Sequence, residues 1–186
     1  KMVADVDYLS NGRVDFGVGI GWLREEFENL DMDFSTRAAR TEEYILAMRA
    51  LWSDGVSEFS GQTVNLQPCH FNPKPVQKPH PPIYFGGESD GAMRRVARLG
   101  DGWYGYDLSP EQLLEKLVGL DAALAATGRS RSDIDLVVGP NRHPVNDDTL
   151  AAYAAAGVDQ LVVPVSAANL DKLSDRVDAL MALGGD

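Results

Sequence analysis

The chain has 186 residues, 44% hydrophobic and 24% charged, with 17 basic against 28 acidic side chains and a formal net charge of -11. That length holds a core of ordinary size, and the acidic balance repels phosphate backbones and anionic lipid, so nucleic-acid and membrane-surface partners are set aside. The single cysteine, Cys69, excludes an internal disulfide, and no metal-ligand spacing surrounds His70, His80 or His143, so no metal and a reducing, cytoplasmic setting are expected.

The first pattern is helical: Met2, Val3, Val6 and Leu9, stopped by Ser10, Asn11 and Gly12. No capping residue opens it, so residue 1 is expected to fall inside an element of something longer. "RVDFGVGIGWLREEF", residues 13–27, then runs an apolar strand into glycines at alternate positions. A dinucleotide fingerprint would need a sixth-place glycine where Trp22 stands, and an acidic residue closing a second strand, which "DMDFSTRAAR" does not supply. A buried strand over Val14 to Gly21, whose glycines admit close backbone packing or a ligand, fits better.

A helix follows near 37–52, with Tyr44, Ile45, Met48, Leu51 and Trp52 on one stripe. From Asp54 to Pro82 a long loop carries a hairpin, "SEFSGQTVNL", turned at Gly61, and a proline-rich run. "PPIYFGG" is a short strand ending in two glycines; Ser89 caps a helix over 90–99 that Gly100 closes. Arg94, Arg95 and Arg98 on that helix are expected to form a solvated face. "GWYGY" is the next strand, and Ser109, Pro110 and Gln112 open a helix carrying Leu113, Leu117, Leu120 and Leu124. "DIDLVVGP" is a strand, Asp147 or Asp148 caps an alanine-rich helix ending at Gly157, and "DQLVVPV" is the last strand. Asn169 opens the last helix, with Leu170, Leu173, Val177, Leu180 and Met181 expected on its inner face. Short apolar strands alternating with amphipathic helices predict an α/β fold with a parallel sheet, either open and doubly wound or a (β/α)8 barrel. A complete barrel takes roughly 250 residues, so five units would leave about three missing.

"LSNGRVDFGVGIGWLREEFENL", "RTEEYILAMRALWSDGVSEFSGQTVNLQP" and "KPVQKPHPPIYFGGESDGAMRRVARLGDGWY", in that order, resemble the bacterial luciferase-like superfamily of flavin- and deazaflavin-dependent oxidoreductases. The resemblance implies a luciferase-like TIM barrel lacking its first three βα units: one partial-barrel domain, with 54–82 as a long insertion. It implies hydride transfer or monooxygenation with reduced FMN or coenzyme F420 on a small-molecule substrate. It also implies that catalytic side chains lie on the absent strands, and none is named here. A non-catalytic partial barrel, acting as a binding or assembly module, is the alternative. Open barrel edges invite association, and the family often forms homo-oligomers.

Under this resemblance Gly19, Gly21 and Trp22 face the cofactor ring, where small residues let a flat ring lie against backbone; Trp22 could instead only staple the barrel rim. Gly86, Gly87, Glu88 and Ser89 match the family segment at the ribityl phosphate. Independently, a strand end and two glycines leading into a helix N-terminus suit an anion. Glu88 departs from that pattern unless its carboxylate points away. Trp103 is a cofactor contact or rim packing, and His143, beyond a strand end, is a proton donor, a substrate contact or a surface loop residue.

Overall fold

A computed structural model describes residues 1–183, which gather into two compact units, Lys1–Ile83 and Tyr84 onward.

In the first unit α1 (Met2–Ser10) ends where Asn11 turns left-handed (φ 56°) and Gly12 follows (φ 77°), the stop written in the sequence. Its inward residues are Ala4 and Asp7, whereas Met2, Val6 and Leu9 are exposed. Burying Asp7 requires partners. Its carboxylate accepts the Gln77 amide N–H (3.0 Å) and side-chain Nε2–H (2.8 Å), which ties the proline-rich loop to the helix.

The expected buried strand over 14–21 is only β1 (Phe16–Val18), and it is half-buried. Its glycines give it nothing to pack: a Cβ at Gly17 or Gly19 would meet no atom within 4 Å. The chain then turns at Gly21 (φ 81°), where a Cβ would come within 2.7 Å of the Phe27 ring. Helix α2 (Arg24–Asn29) and a 3-10 turn (Phe34–Thr36) lead into α3 (Arg37–Trp52), which buries Ile45, Ala47 and Trp52. Phe16 meets the Trp52 ring edge-on at 6.1 Å.

The hairpin forms as β2 (Val56–Ser60) and β3 (Asn65–His70), antiparallel, with a register shift between Ser57 and Phe59. Glu43 of α3 holds its turn, its Oε1 accepting the Thr63 (2.6 Å) and Val64 (2.5 Å) amides. Those bonds hold the Glu43 carboxyl below its ordinary range, Val64 contributing most.

The second unit is a parallel sheet of four strands in sequential order: β4 (Ile83–Gly86), β5 (Gly102–Tyr106), β6 (Asp135–Gly139) and β7 (Gln160–Leu161). Register sets Gly86 beside Tyr104 and Tyr106 beside Gly139, so the C-terminal ends of β4, β5 and β6 come together. Helix α4 (Asp90–Leu99) packs on α5 (Pro110–Ala125), which buries Leu113, Leu117, Leu120 and Leu124 as the sequence predicts. Ser109 and Gln112 form the expected reciprocal capping box. Arg95 is buried (3% exposed), so α4 does not present its three arginines as one solvated face. A short 3-10 turn (Arg131–Asp133) precedes β6.

Helix α6 (Asp147–Ala155) is capped by Asn146, whose side-chain oxygen accepts the Thr149 amide (3.0 Å); Asp147 and Asp148 occupy its first turn instead. The last strand keeps two of its seven expected residues, with Val162 N–H still reaching the Val138 carbonyl. Asn169 caps α7 (Leu170–Met181) as predicted, yet α7 buries no residue: of its apolar stripe Leu170, Val177 and Met181 are exposed and Leu173 and Leu180 half-buried. Among the described residues no helix is long and apolar enough to cross a membrane.

Candidate functional site

In the second unit the sequence-predicted segment Gly86–Ser89 bridges β4 and α4. Gly87 takes φ 106°, a conformation that side chains rarely adopt, and a Cβ there would approach Ala92 Cβ at 3.1 Å. Ser89 Oγ accepts the Ala92 amide at 3.3 Å, satisfying one of the first-turn N–H groups of α4. The amides of Asp90 and Gly91, the first two helical positions, have no acceptor within the helix by geometry.

Two neighbours on β5 fix this loop. Trp103, fully buried, donates its indole Nε1–H to the Gly87 carbonyl at 2.9 Å. With no surface exposed, Trp103 acts by packing and by holding that carbonyl. Glu88 Oε1 accepts the Tyr106 amide at 2.9 Å, which commits the carboxylate to the end of β5 and removes the main objection to an anion on the adjoining amides.

The rim continues at Asp107, left-handed (φ 56°), whose N–H donates to the Gly139 carbonyl at 2.7 Å. Its carboxylate, 9% exposed, accepts the Arg142 amide (3.0 Å) and Nε–H (2.6 Å) and pairs with the other end of that guanidinium. The Arg142 side chain and amide together hold the Asp107 carboxyl below its usual range. His143 Nε2 lies 3.1 Å from the Asp107 carbonyl. Tyr104, half-buried beside Gly139, has its hydroxyl pushed up chiefly by burial, so it remains a neutral donor at ordinary pH.

In the first unit Gly19 and Gly21 line a cavity of about 350 Å³, with Phe27, Met32, Arg37 and Arg40 among its walls. Arg37 stands 3.7 Å over the Phe34 ring, with Arg24 also over that ring at 4.5 Å; Arg37 donates to the Phe34 carbonyl at 2.9 Å. Trp22 is 82% exposed and does not wall this cavity. Arg37 and Arg40 were invisible to motif reasoning, although two arginines three apart at the start of an amphipathic helix share one face. Among the described residues no group of three or more His, Cys, Asp or Glu gathers for a metal.

The luciferase-like monooxygenase family model matches residues 1–178. The chain belongs to that family. An uncharacterized protein of Mycobacterium tuberculosis is 31% identical over 185 residues, covering 98% of this chain and 63% of that protein. The chain therefore spans less than two thirds of that relative's length. The FMNH2-dependent dimethylsulfone monooxygenase of Pseudomonas putida is 28% identical over 152 residues, 80% of this chain and 40% of the enzyme. A solved F420-dependent secondary alcohol dehydrogenase, in complex with an F420-acetone adduct, superposes with a TM-score of 0.65 at 23% identity, covering 82% of this chain and 47% of that one. The fold is accordingly the α/β, parallel-sheet type of the luciferase-like TIM barrels.

Proposed function

We propose that the chain is part of a flavin- or deazaflavin-dependent oxidoreductase that acts on a small molecule, with reduced FMN or coenzyme F420 as the cofactor. Family membership and the named cofactors of the relatives support this assignment. Bound, either cofactor would supply hydride transfer, and FMN oxygen activation as well.

The observation that carries the proposal is the Gly86–Ser89 loop. Gly87 opens the backbone, Trp103 fixes its carbonyl, Glu88 is spent on Tyr106, and Ser89 caps α4, leaving backbone N–H groups for a phosphate. Gly86 suits the same role, since a Cβ there would touch only the Tyr104 carbonyl, at 4.0 Å. Trp103 is assigned a supporting part. Gly19, Gly21 and Trp22 are proposed as ring contacts on the family resemblance, with Gly21 also required by its own turn.

The test is a fluorescence titration of the chain with oxidised FMN and with oxidised F420 in low-phosphate buffer. Saturable binding that falls at least tenfold in Ser89→Asp is expected, because aspartate caps a helix as serine does but adds a charge beside the phosphate. Equal affinity of Ser89→Asp and the parent chain would remove the phosphate assignment. Binding of neither cofactor would favour the non-catalytic module.

A further inference from the structure

We infer that the cavity of the first unit receives the substrate as a monoanionic carboxylate on an apolar body, with Arg37 and Arg40 holding the carboxylate. The inference rests on the proposed function only for calling that carboxylate the substrate; it adds the chemical class. Gly19 and Gly21, assigned there to the cofactor ring, line the same cavity, so the carboxylate would be held beside the ring.

Three features of the cavity lead there. First, the two cations in its wall are fixed and still have donors to give. Arg37 spends Nη1 on the Phe34 carbonyl at 2.9 Å, and Arg40 spends Nη2 on the Asp33 carbonyl at 3.3 Å, out of five N–H donors on each guanidinium. The Arg37 Nε–H is enclosed and meets no acceptor among the described residues. A buried donor without a partner is costly, and the two oxygens of a carboxylate suit the planar fork of a guanidinium.

Second, Phe34 stands behind the wall and sets the groups that form it. Arg37 lies 3.7 Å over the Phe34 ring, and Phe27 meets that ring edge-on at 5.2 Å and 86°. One ring thus fixes both the cation for the head and the aromatic wall for the body. Gly21 admits that wall, because a Cβ there would come within 2.7 Å of Phe27. Ile20, Leu30 and Met32 extend the apolar lining, and at Gly19 a Cβ would meet nothing within 4 Å, so the wall there is bare backbone. The volume, about 350 Å³, lies at the lower end of small-molecule sites, roughly 300–1,000 Å³.

Third, the charge of the wall selects the ligand's charge. Its ionic side chains are Arg37, Arg40 and Glu26, two cations against one anion. Beside it, Asp33 and Arg24 offset each other: the Asp33 carboxyl is held below its ordinary range first by the Ser35 hydroxyl, with Arg40 and Arg24 adding to the effect. A monoanion balances that wall. A phosphate dianion would bring a second negative charge next to Glu26 and set its remaining oxygens against apolar side chains, which cannot donate to them.

The experiment is isothermal titration calorimetry of the intact chain with octanoate, octan-1-ol and inorganic phosphate, repeated with oxidised FMN or F420 present. Octanoate is expected to bind saturably and about tenfold tighter than octan-1-ol, the worth of one charge-assisted hydrogen bond, and phosphate should not displace it. Arg37→Gln and Arg40→Gln should each remove that preference while leaving octan-1-ol unchanged, which a merely structural arginine would not produce. Gly19→Leu, which adds bulk where the backbone is bare, should weaken both eight-carbon probes. If Arg37→Gln, having lost its stacking on Phe34, does not fold, Arg40→Gln and Gly19→Leu carry the test. No saturable octanoate binding, equal affinity for octanoate and octan-1-ol, or displacement by phosphate would overturn the inference. Displacement of octanoate by FMN or F420, with a matching loss of cofactor affinity in Arg40→Gln, would also overturn it, because the arginines would then hold the cofactor's own anionic group; the cofactor assignment would stand. The octanoate preference without any binding of FMN or F420 would uphold the carboxylate site and reject the cofactor assignment instead.

Discussion

Two pairs of glycines, one in each unit, answer to different constraints. At two strand ends of the second unit neighbours fill the space: a Cβ on Gly102 would lie 2.3 Å from the Tyr84 ring, and one on Gly139 would lie 2.3 Å from the Tyr104 hydroxyl. In the first unit Gly17 and Gly19 stand in the open, with nothing within 4 Å. Packing requires the former and does not explain the latter, so a functional reason is best sought where glycine is structurally unnecessary.

Breaking that contrast begins with Gly102→Ala. The Tyr84 ring it would strike is held by a 2.6 Å hydroxyl bond to Asp135, and the Asp135 carbonyl lies 3.0 Å from the added carbon. A loss of about 3 kcal/mol is expected from such overpacking, measured by urea denaturation. Gly87→Ala should lose less, about 1–2 kcal/mol, from its positive φ and the Ala92 contact; adding Ala92→Gly should restore only the contact part.

Asp107 sharpens the comparison through pH. Its folded carboxyl lies below the unfolded value of about 3.9, so its stabilisation is fully present above that pH and is lost as pH falls through the folded value. The parent chain should therefore exceed Asp107→Asn in stability most at neutral pH, with the gap closing on acidification below about 4. The smallest effect on stability should come from Gly19→Ala, within about 0.5 kcal/mol. If that variant nevertheless weakens FMN or F420 binding in the titration above, the open glycine has a functional use; if binding also stays unchanged, the ring contact assigned to it is lost.

Much of the fold was legible because its signals are local. Ser89, Ser109 with Pro110 and Gln112, and Asn169 each cap the helix that follows within a few residues, and the alternation of apolar strands and amphipathic helices needs no long-range information. Asn146 was missed because three consecutive polar residues can each cap, and only backbone geometry selects the one that lies outside the helix. At the site, Gly86 to Ser89 could be read from a strand end and a helix start. The parts that organise it could not: Glu88 reaches an amide 18 residues away and Asp107 one 35 residues away, and in sequence both are ordinary surface acids. Glu43 holds the hairpin turn in the same hidden manner. Arg95 and the partly exposed stripe of α7 depart from their polarity-based expectations, since burial is a property of what packs on a helix and periodicity shows only which residues share a face.

The hydrogen bond from Trp103 to Gly87 also has a spectroscopic use. Of the chain's three tryptophans, Trp22 is 82% exposed while Trp52 and Trp103 are almost wholly enclosed. Replacing Trp22 and Trp52 by phenylalanine would leave one indole, whose emission wavelength depends on the polarity around a nitrogen bonded to the loop carbonyl itself. Whatever settles on the amides after Gly87 would then be recorded as a change of colour by a reporter already built into the sheet.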